Sequence, residues 1–240
     1  MNDYSIVLVE PVSPGNIGSV CRAMANFGAS NLRLVNPGCN HLDKDAVKMA
    51  VFAEPLLEGA VVYSSLAEAV ADCHYSIAAT RREGTCRNKL QPLATTAELF
   101  TGKSARIALV FGRERSGLTT EEVVMCSHAA VIETTAEGSL NLAQAVIVFL
   151  YEFTRHNCEN NFSINREIPE QGVLEDLFVS MQAVLNQTGY LNSQKPEALM
   201  NKLRRIYQRA ELGADELSLL RGIWNRLEES INDWPGRRRG

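Results

Sequence analysis

Three segments carry the residues that could do chemistry. The first, Pro14-Gly-Asn16-Ile-Gly18-Ser-Val-Cys-Arg22, offers a side-chain amide and a cation. The second, Gly112-Arg-Glu-Arg-Ser-Gly117-Leu-Thr119, alternates charges between two glycines. The third, Ser139-Leu-Asn-Leu-Ala-Gln-Ala145, sets Ser139 and Asn141 at the mouth of a very apolar stretch. The second nearly fits the phosphate-loop pattern G-x-x-x-x-G-K-[ST]. It has Leu118 where that pattern needs the lysine that reaches the β/γ-phosphates. Glu114 also puts a carboxylate where a triphosphate should lie, and both departures argue against triphosphate hydrolysis. A dinucleotide site needs G-x-G-x-x-G after the first strand, and this chain has Gly15-Asn-Ile-Gly18 there.

The glycines let backbone approach a ligand closely. Glu114 can accept hydrogen bonds from a ribose or an amine, or it can pair with an arginine. The plainer reading makes Arg113 and Glu114 structural ion pairs. Asn16 and Ser139 each have a plain reading as helix caps, and Arg22 as a surface residue. Asn141 resists a plain reading, because it opens a helix that otherwise enters a core.

These loops must be held by elements that the periodicity makes legible. Strand patterns occupy Ser5–Val9, Leu32–Val35, Val61–Tyr63, Tyr75–Ala79, Ile107–Phe111 and Ala129–Ile132. Ile107–Phe111 is fully apolar, as a strand covered on both faces must be. Helical spacing fills Asn16–Phe27 and stops at Gly28, a C-terminal cap. Capping boxes open helices at Ser65 and Thr119. Leu140–Phe153 is apolar almost all round, which suits a core or an oligomer interface. Alternating strands and helices predict an α/β fold with a mostly parallel sheet. Ligands then bind beyond the carboxyl ends of strands, where the first two segments fall. After a polar, Asn-rich stretch, Val173–Leu185, Pro196–Arg209 and Asp215–Leu227 read as helices.

Bulk properties narrow the class. The net charge of −4 does not advertise a nucleic-acid partner, but it is uneven. Lys195, Lys202, Arg204, Arg205 and Arg209 face only Glu197, and Arg237–Arg239 lie together near the end. Local basic patches matter more than the total for phosphate binding. The cysteines include no C-x-x-C pair, which argues against a zinc site or a disulfide framework. No apolar run approaches the roughly 20 residues of a membrane span. The start has no basic region, and Ile6–Val9 is too short for a signal peptide, so a cytoplasmic location is expected.

Taken together, Asn16-Ile-Gly-Ser-Val-Cys-Arg22, Leu109-Val-Phe-Gly-Arg-Glu-Arg-Ser-Gly-Leu-Thr119 and Ser139-Leu-Asn-Leu-Ala-Gln-Ala-Val146 resemble the three ordered motifs of the SPOUT superfamily, TrmH branch. The likeness spans roughly residues 4–158. It implies an α/β fold with a deep C-terminal trefoil knot, a feature nearly absent elsewhere. The implied division is a methyltransferase domain 1–158, a linker 159–170 and a small all-helical extension 171–240 for tRNA binding or dimer support.

The resemblance implies methyl transfer from S-adenosylmethionine to an RNA ribose 2′-hydroxyl. Members with such an extension act on tRNA, at anticodon-loop nucleotide 32. Another tRNA position, ribosomal RNA, or a non-catalytic RNA-binding module are the alternatives. Cofactor contacts would fall on Thr80, Arg81, Arg82, Gly112, Ile132, Gly138, Ser139 and Leu140, with no metal. Arg22 would be the essential arginine, acting across a homodimer interface. Asn16, Glu114, Ser139 and Asn141 fall on the other motif positions. Relatives often carry proline after the Ile132 position, where this chain has Glu133.

The implied chemistry is coherent. A ribose hydroxyl is a poor nucleophile, so the protein must position it and help remove its proton. Arginine can grip a phosphate bidentately, but it stays protonated, which leaves the base open.

Overall fold

Strand-length runs of Val, Ile, Leu and Ala, each flanked by helix signals, leave room for one solution, a parallel sheet covered on both sides. The computed structural model has that architecture and describes residues 2–82, 90–135, 138, 140–155, 169–191, 196–210 and 212–232. Strands β1 (Asp3–Val9), β2 (Asn31–Val35), β3 (Val61–Tyr63), β4 (Tyr75–Ala79), β5 (Gln91–Pro92), β6 (Arg106–Phe111) and β7 (His128–Val131) form a sheet ordered β3-β2-β1-β6-β4-β7-β5. Every pairing is parallel. The two-residue β5 carries no pattern that a sequence reading could have found.

Side chains alternate across the sheet. Tyr4, Ile6, Leu8, Ile107, Leu109 and Phe111 enter one core, together with α1 (Pro14–Phe27) and α7 (Leu142–Arg155). Val7, Val9, Ala108 and Val110 enter the other. That second face is closed by α4 (Leu66–Val70) and α6 (Thr120–Met125). The remaining elements of this part, α2 (Lys44–Ala50), a 3-10 turn Val51–Ala53, α3 (Glu54–Glu58) and α5 (Leu93–Glu98), are too short to show a clear period.

Gly18 explains one crossing. A Cβ there would lie 2.0 Å from the Ala46 carbonyl oxygen, so α2 can cross α1 only over a glycine. Cys21, Cys73 and Cys126 are buried free thiols, as small apolar residues would be.

The extension is helical: α8 (Gln171–Gln187), α9 (Pro196–Arg209) and α10 (Ala214–Asn232). Its own apolar cluster holds Leu177, Phe178, Met181, Leu191, Met200 and Leu217. It docks behind α4 and α6, where the strands begin. Gln171 and Gly172 amides donate to the Cys73 and Ala71 carbonyls at 2.7 and 2.8 Å. Glu170 pairs with Arg106, and Gln208 Nε2 donates to the Met125 carbonyl at 3.2 Å. Of the basic cluster, Arg204 pairs with Glu175 over the Phe178 ring. Lys202 and Arg209 are exposed, while Lys195 and Arg237–Arg239 lie outside the described residues.

His74 sits at this junction. Its Nδ1 accepts the Arg106 amide at 2.9 Å, so the ring must be neutral there. Burial first, then the Arg106 charge, lower its pKa from 6.5, while Glu170 and Asp72 oppose. Below pH 6.5 the unfolded chain takes up a proton that the folded one resists. His74 therefore contributes stability fully above that pH and loses it on acidification. Melting temperature measured against pH should fall modestly below 6.5, and His74→Asn should flatten that limb.

Candidate active site

The carboxyl ends of β4, β6 and β7 open onto a cavity of about 560 Å³. Its floor is apolar, from Ala79, Phe111, Ala130, Leu142, Ala145 and Phe149. Its rim is polar. Of the eight residues expected to hold a cofactor, Thr80, Arg81, Arg82, Gly112, Ile132, Gly138 and Leu140 all line it. Arg81 donates to the Gly138 carbonyl, tying the loop after β4 to the loop after β7. Ser139, the eighth, lies outside the described residues. Glu133 is exposed.

The loop after β6 doubles back on itself. A Cβ on Gly112 would lie 2.2 Å from the Gly117 carbonyl carbon and 2.3 Å from the Leu118 amide nitrogen. Gly117 takes φ +66°, a region that favours glycine. Leu118 is buried in the second core, so the position where a phosphate loop has its lysine carries an apolar core side chain instead. Thr119 and Glu122 complete the capping box of α6.

Three catalytic candidates form one hydrogen-bonded chain. Glu114 accepts from the Val12 and Ser13 amides at 3.3 and 3.2 Å and from Asn16 Nδ2 at 3.1 Å. Asn16 Oδ1 in turn accepts from Asn141 Nδ2 at 3.0 Å. Each of the three comes from a different motif segment. Ser13 explains why Asn16 is free for this. The helix begins at Pro14, two residues before the sequence pattern suggests, and Ser13 accepts the Asn16 amide. The cap reading of Asn16 is thus corrected.

Asn141 needs a correction too. It opens α7, and its Oδ1 accepts the Ala143 amide at 2.8 Å, so it is a helix cap after all. It is a cap that also donates sideways to Asn16. Glu114 has no ion pair among the described residues, which goes against its plain reading. Arg113 does bear out its own, through Glu10 and Glu122. The sequence reading missed Glu10: a carboxylate directly after the buried apolar run Ile6–Val9 was the available signal.

Arg22 stands apart. It is exposed, does not line the cavity, and has no hydrogen bond or ion pair among the described residues. Six residues of helix separate it from Asn16, about 9 Å along the axis. Among the described residues, no group of His, Cys, Asp and Glu could hold a metal, and no helix is long and apolar enough to cross a membrane.

Residues 3–151 match the family model of the SpoU rRNA methylases. The chain belongs to the SpoU methylase family. Residues 173–235 match a second model, the C-terminal domain of the tRNA methyltransferase TrmJ. The tRNA (cytidine/uridine-2'-O-)-methyltransferase TrmJ of Cronobacter sakazakii is 36% identical over 245 residues, covering 98% of this chain and 100% of that one. The crystal structure of TrmJ from Z. mobilis ZM4 superposes with TM-score 0.83 at 31% identity, over 93% of this chain and 98% of that one. A structure described as giving insight into 2-OH methylation of C/U34 on tRNA matches at TM-score 0.51 and 25% identity, over 64% of this chain and 89% of its own.

In a SpoU methylase the Asn141 side chain can be tested on both counts. Asn141→Ala removes the cap and the link to Asn16. It should cost about 1 kcal/mol of stability and lower methyl-transfer turnover more than about tenfold, near 1.4 kcal/mol. Asn141→Asp keeps an acceptor for the Ala143 amide but cannot donate to Asn16. It should hold the melting temperature and still lose turnover. An unchanged rate in the Asp variant returns Asn141 to a cap alone.

Proposed function

We propose that this chain transfers a methyl group from S-adenosylmethionine to the 2′-hydroxyl of a tRNA ribose, at anticodon-loop nucleotide 32. The observation that carries the reading is the Glu114–Asn16–Asn141 chain, which ties all three motif segments together near the cavity. It occurs in a chain that matches the TrmJ enzymes over nearly its whole length.

The cavity fits the methyl donor. An apolar floor suits an adenine ring, and Thr80, Arg81 and Arg82 on the rim suit polar groups. Gly112 packs its bare Cα against the Gly117–Leu118 backbone, so the loop closes tightly along this wall of the cavity. When bound, the donor supplies an electrophilic sulfonium methyl. The rest falls to the protein. Glu114, Asn16 and Asn141 fix the three motif segments against which the ribose lies. Arg22 grips the neighbouring phosphate bidentately and fixes the ribose. It stays charged, so it positions and does not take the proton. The 2′-hydroxyl itself selects RNA over DNA.

The same reading includes a homodimer, a knot and a cytoplasmic location. Ile147 and Tyr151 are exposed apolar residues on one stripe of α7, with Leu140 just before the helix and Val51 and Phe52 also exposed on that side of the sheet. Such a stripe suits a second subunit, which would bring its own Arg22 to this cavity. The knot is supported by strand order, since β6 and β7 flank β4 and their following loops meet at one cavity. The division into domain 1–158, linker 159–170 and extension 171–240 is supported by the separate apolar cluster of α8–α10.

The choice of nucleotide 32 rests on the extension. The neighbour described for C/U34 covers only 64% of this chain, about the length of the α/β domain alone. Incubation with labelled S-adenosylmethionine and either total tRNA or ribosomal RNA, followed by nucleoside mapping, tests the reaction and its substrate. A 2′-O-methyl group at nucleotide 32 is expected. Label at nucleotide 34 overturns the position, and label in ribosomal RNA alone overturns the substrate.

A further inference from the structure

Arg113 binds two carboxylates at once. Its Nε and Nη2 donate to Glu10 at 2.8 and 2.7 Å, and its Nη1 and Nη2 donate to Glu122, both at 3.0 Å. A planar guanidinium with five donors can satisfy two carboxylates along its edges. The three side chains are mostly shielded, at 21% exposure for Arg113 and 16% for Glu122, with Glu10 more open at 46%. The Arg113 hydrogen bonds hold the Glu10 carboxyl below its ordinary value, so the clamp is ionised at neutral pH.

The two partners belong to different walls of the site. Glu10 directly follows β1 and has φ +47°, a conformation that persists in a non-glycine residue only when its surroundings enforce it. Directly after it come Val12, Ser13 and Asn16, the three donors to Glu114. Neighbouring residues of one loop, Arg113 and Glu114, therefore grip neighbouring segments of another. Glu122 instead belongs to α6. Its carboxylate also accepts the Thr119 amide at 2.7 Å, next to the Gly117–Leu118 stretch that lines the cavity.

We propose that Arg113 is a positioning residue with two separable duties. Through Glu10 it aligns the Glu114–Asn16–Asn141 chain for methyl transfer. Through Glu122 it holds the Gly117–Leu118 wall for donor binding. The inference rests on the function proposed above.

A clamp that only stabilised the fold would not divide its effects in this way. The test uses the full chain with Glu10→Gln, Glu122→Gln and Arg113→Lys, with S-adenosylhomocysteine as the binding probe. Glutamine also serves at the third position of a capping box, so Glu122→Gln keeps the start of α6. Glu10→Gln should lower kcat about tenfold with probe affinity within about twofold, and Glu122→Gln should do the reverse. Arg113→Lys should show both losses. Amide hydrogen exchange over residues 10–16 should speed up in Glu10→Gln and Arg113→Lys, and not in Glu122→Gln. Equal losses of kcat and affinity in both glutamine variants overturn the division. So does unchanged exchange over 10–16, whatever the turnover. A wild type that methylates no tRNA sinks the proposed function alone, because the exchange and binding arms still read the clamp.

Discussion

Arg22→Ala is expected to abolish methyl transfer, by about three orders of magnitude or ~4 kcal/mol of barrier, while S-adenosylhomocysteine affinity stays within a few-fold. The expectation starts from what Arg22 lacks. It is a cation on α1 with no hydrogen bond or ion pair among the described residues, and it does not line the cavity of its own chain. A purely structural arginine would show a carboxylate or carbonyl partner, as Arg33 does with Asp72 and the Ala69 carbonyl. The exposed stripe on α7 packs beside α1, with Tyr151 edge-on to Phe27. A subunit seated there would place its Arg22 near the other chain's cavity. The proposed dimer geometry can be tested by mixing variants. Arg22→Ala is mixed with a variant that cannot bind the donor but keeps its own Arg22. Each mixed dimer then has one complete site, a donor-competent cavity facing the other chain's Arg22. Random mixing should restore about a quarter of the wild-type sites. No recovery, with dimer exchange verified, would place Arg22 in its own chain's site.

Much of the scaffold was legible in the sequence because its signals are local. A run such as Ile107–Phe111 has one physical solution once both sheet faces are covered, and Gly28 ends α1 at φ +73° as its position suggests. The order of the three motif segments was legible too, and seven of the eight expected cofactor contacts line one cavity. What escaped depends on partners far apart in the chain. Asn141 reads as an oddity until its side chain is seen capping α7 and reaching Asn16, 125 residues away. Arg113 and Glu114 are adjacent in sequence, yet one is an ion-pair hub and the other a pure acceptor of N–H groups. Periodicity cannot tell them apart. The short α2, α3 and β5 escaped because they follow from tertiary packing, not from propensity.

Gly112→Ala should cripple the donor site and serves as the donor-dead variant above. An added methyl would sit 2.2 Å from the Gly117 carbonyl carbon and 2.3 Å from the Leu118 nitrogen. Both are backbone atoms, so no rotamer change relieves the overlap. Leu118 cannot yield outward, because its side chain is fixed in the core, and Gly117 is held by its amide's 2.9 Å bond to the Arg113 carbonyl. The loop must therefore open, and donor affinity should fall at least about a hundredfold, with about 1–3 kcal/mol of stability lost to overpacking.

Two other glycines make the controls. Gly15→Ala meets only Met49 Cγ at 3.7 Å, an ordinary contact, and should leave affinity and melting temperature nearly unchanged. Gly18→Ala meets the Ala46 carbonyl oxygen at 2.0 Å, away from the cavity lining. It should lower the melting temperature by forcing α1 and α2 apart, with less effect on the donor than Gly112→Ala. Isothermal titration with S-adenosylhomocysteine, read beside thermal melts, separates the three. If Gly18→Ala weakens donor binding as much as Gly112→Ala does, general destabilisation explains both and the close backbone approach at Gly112 has no special role in holding the donor.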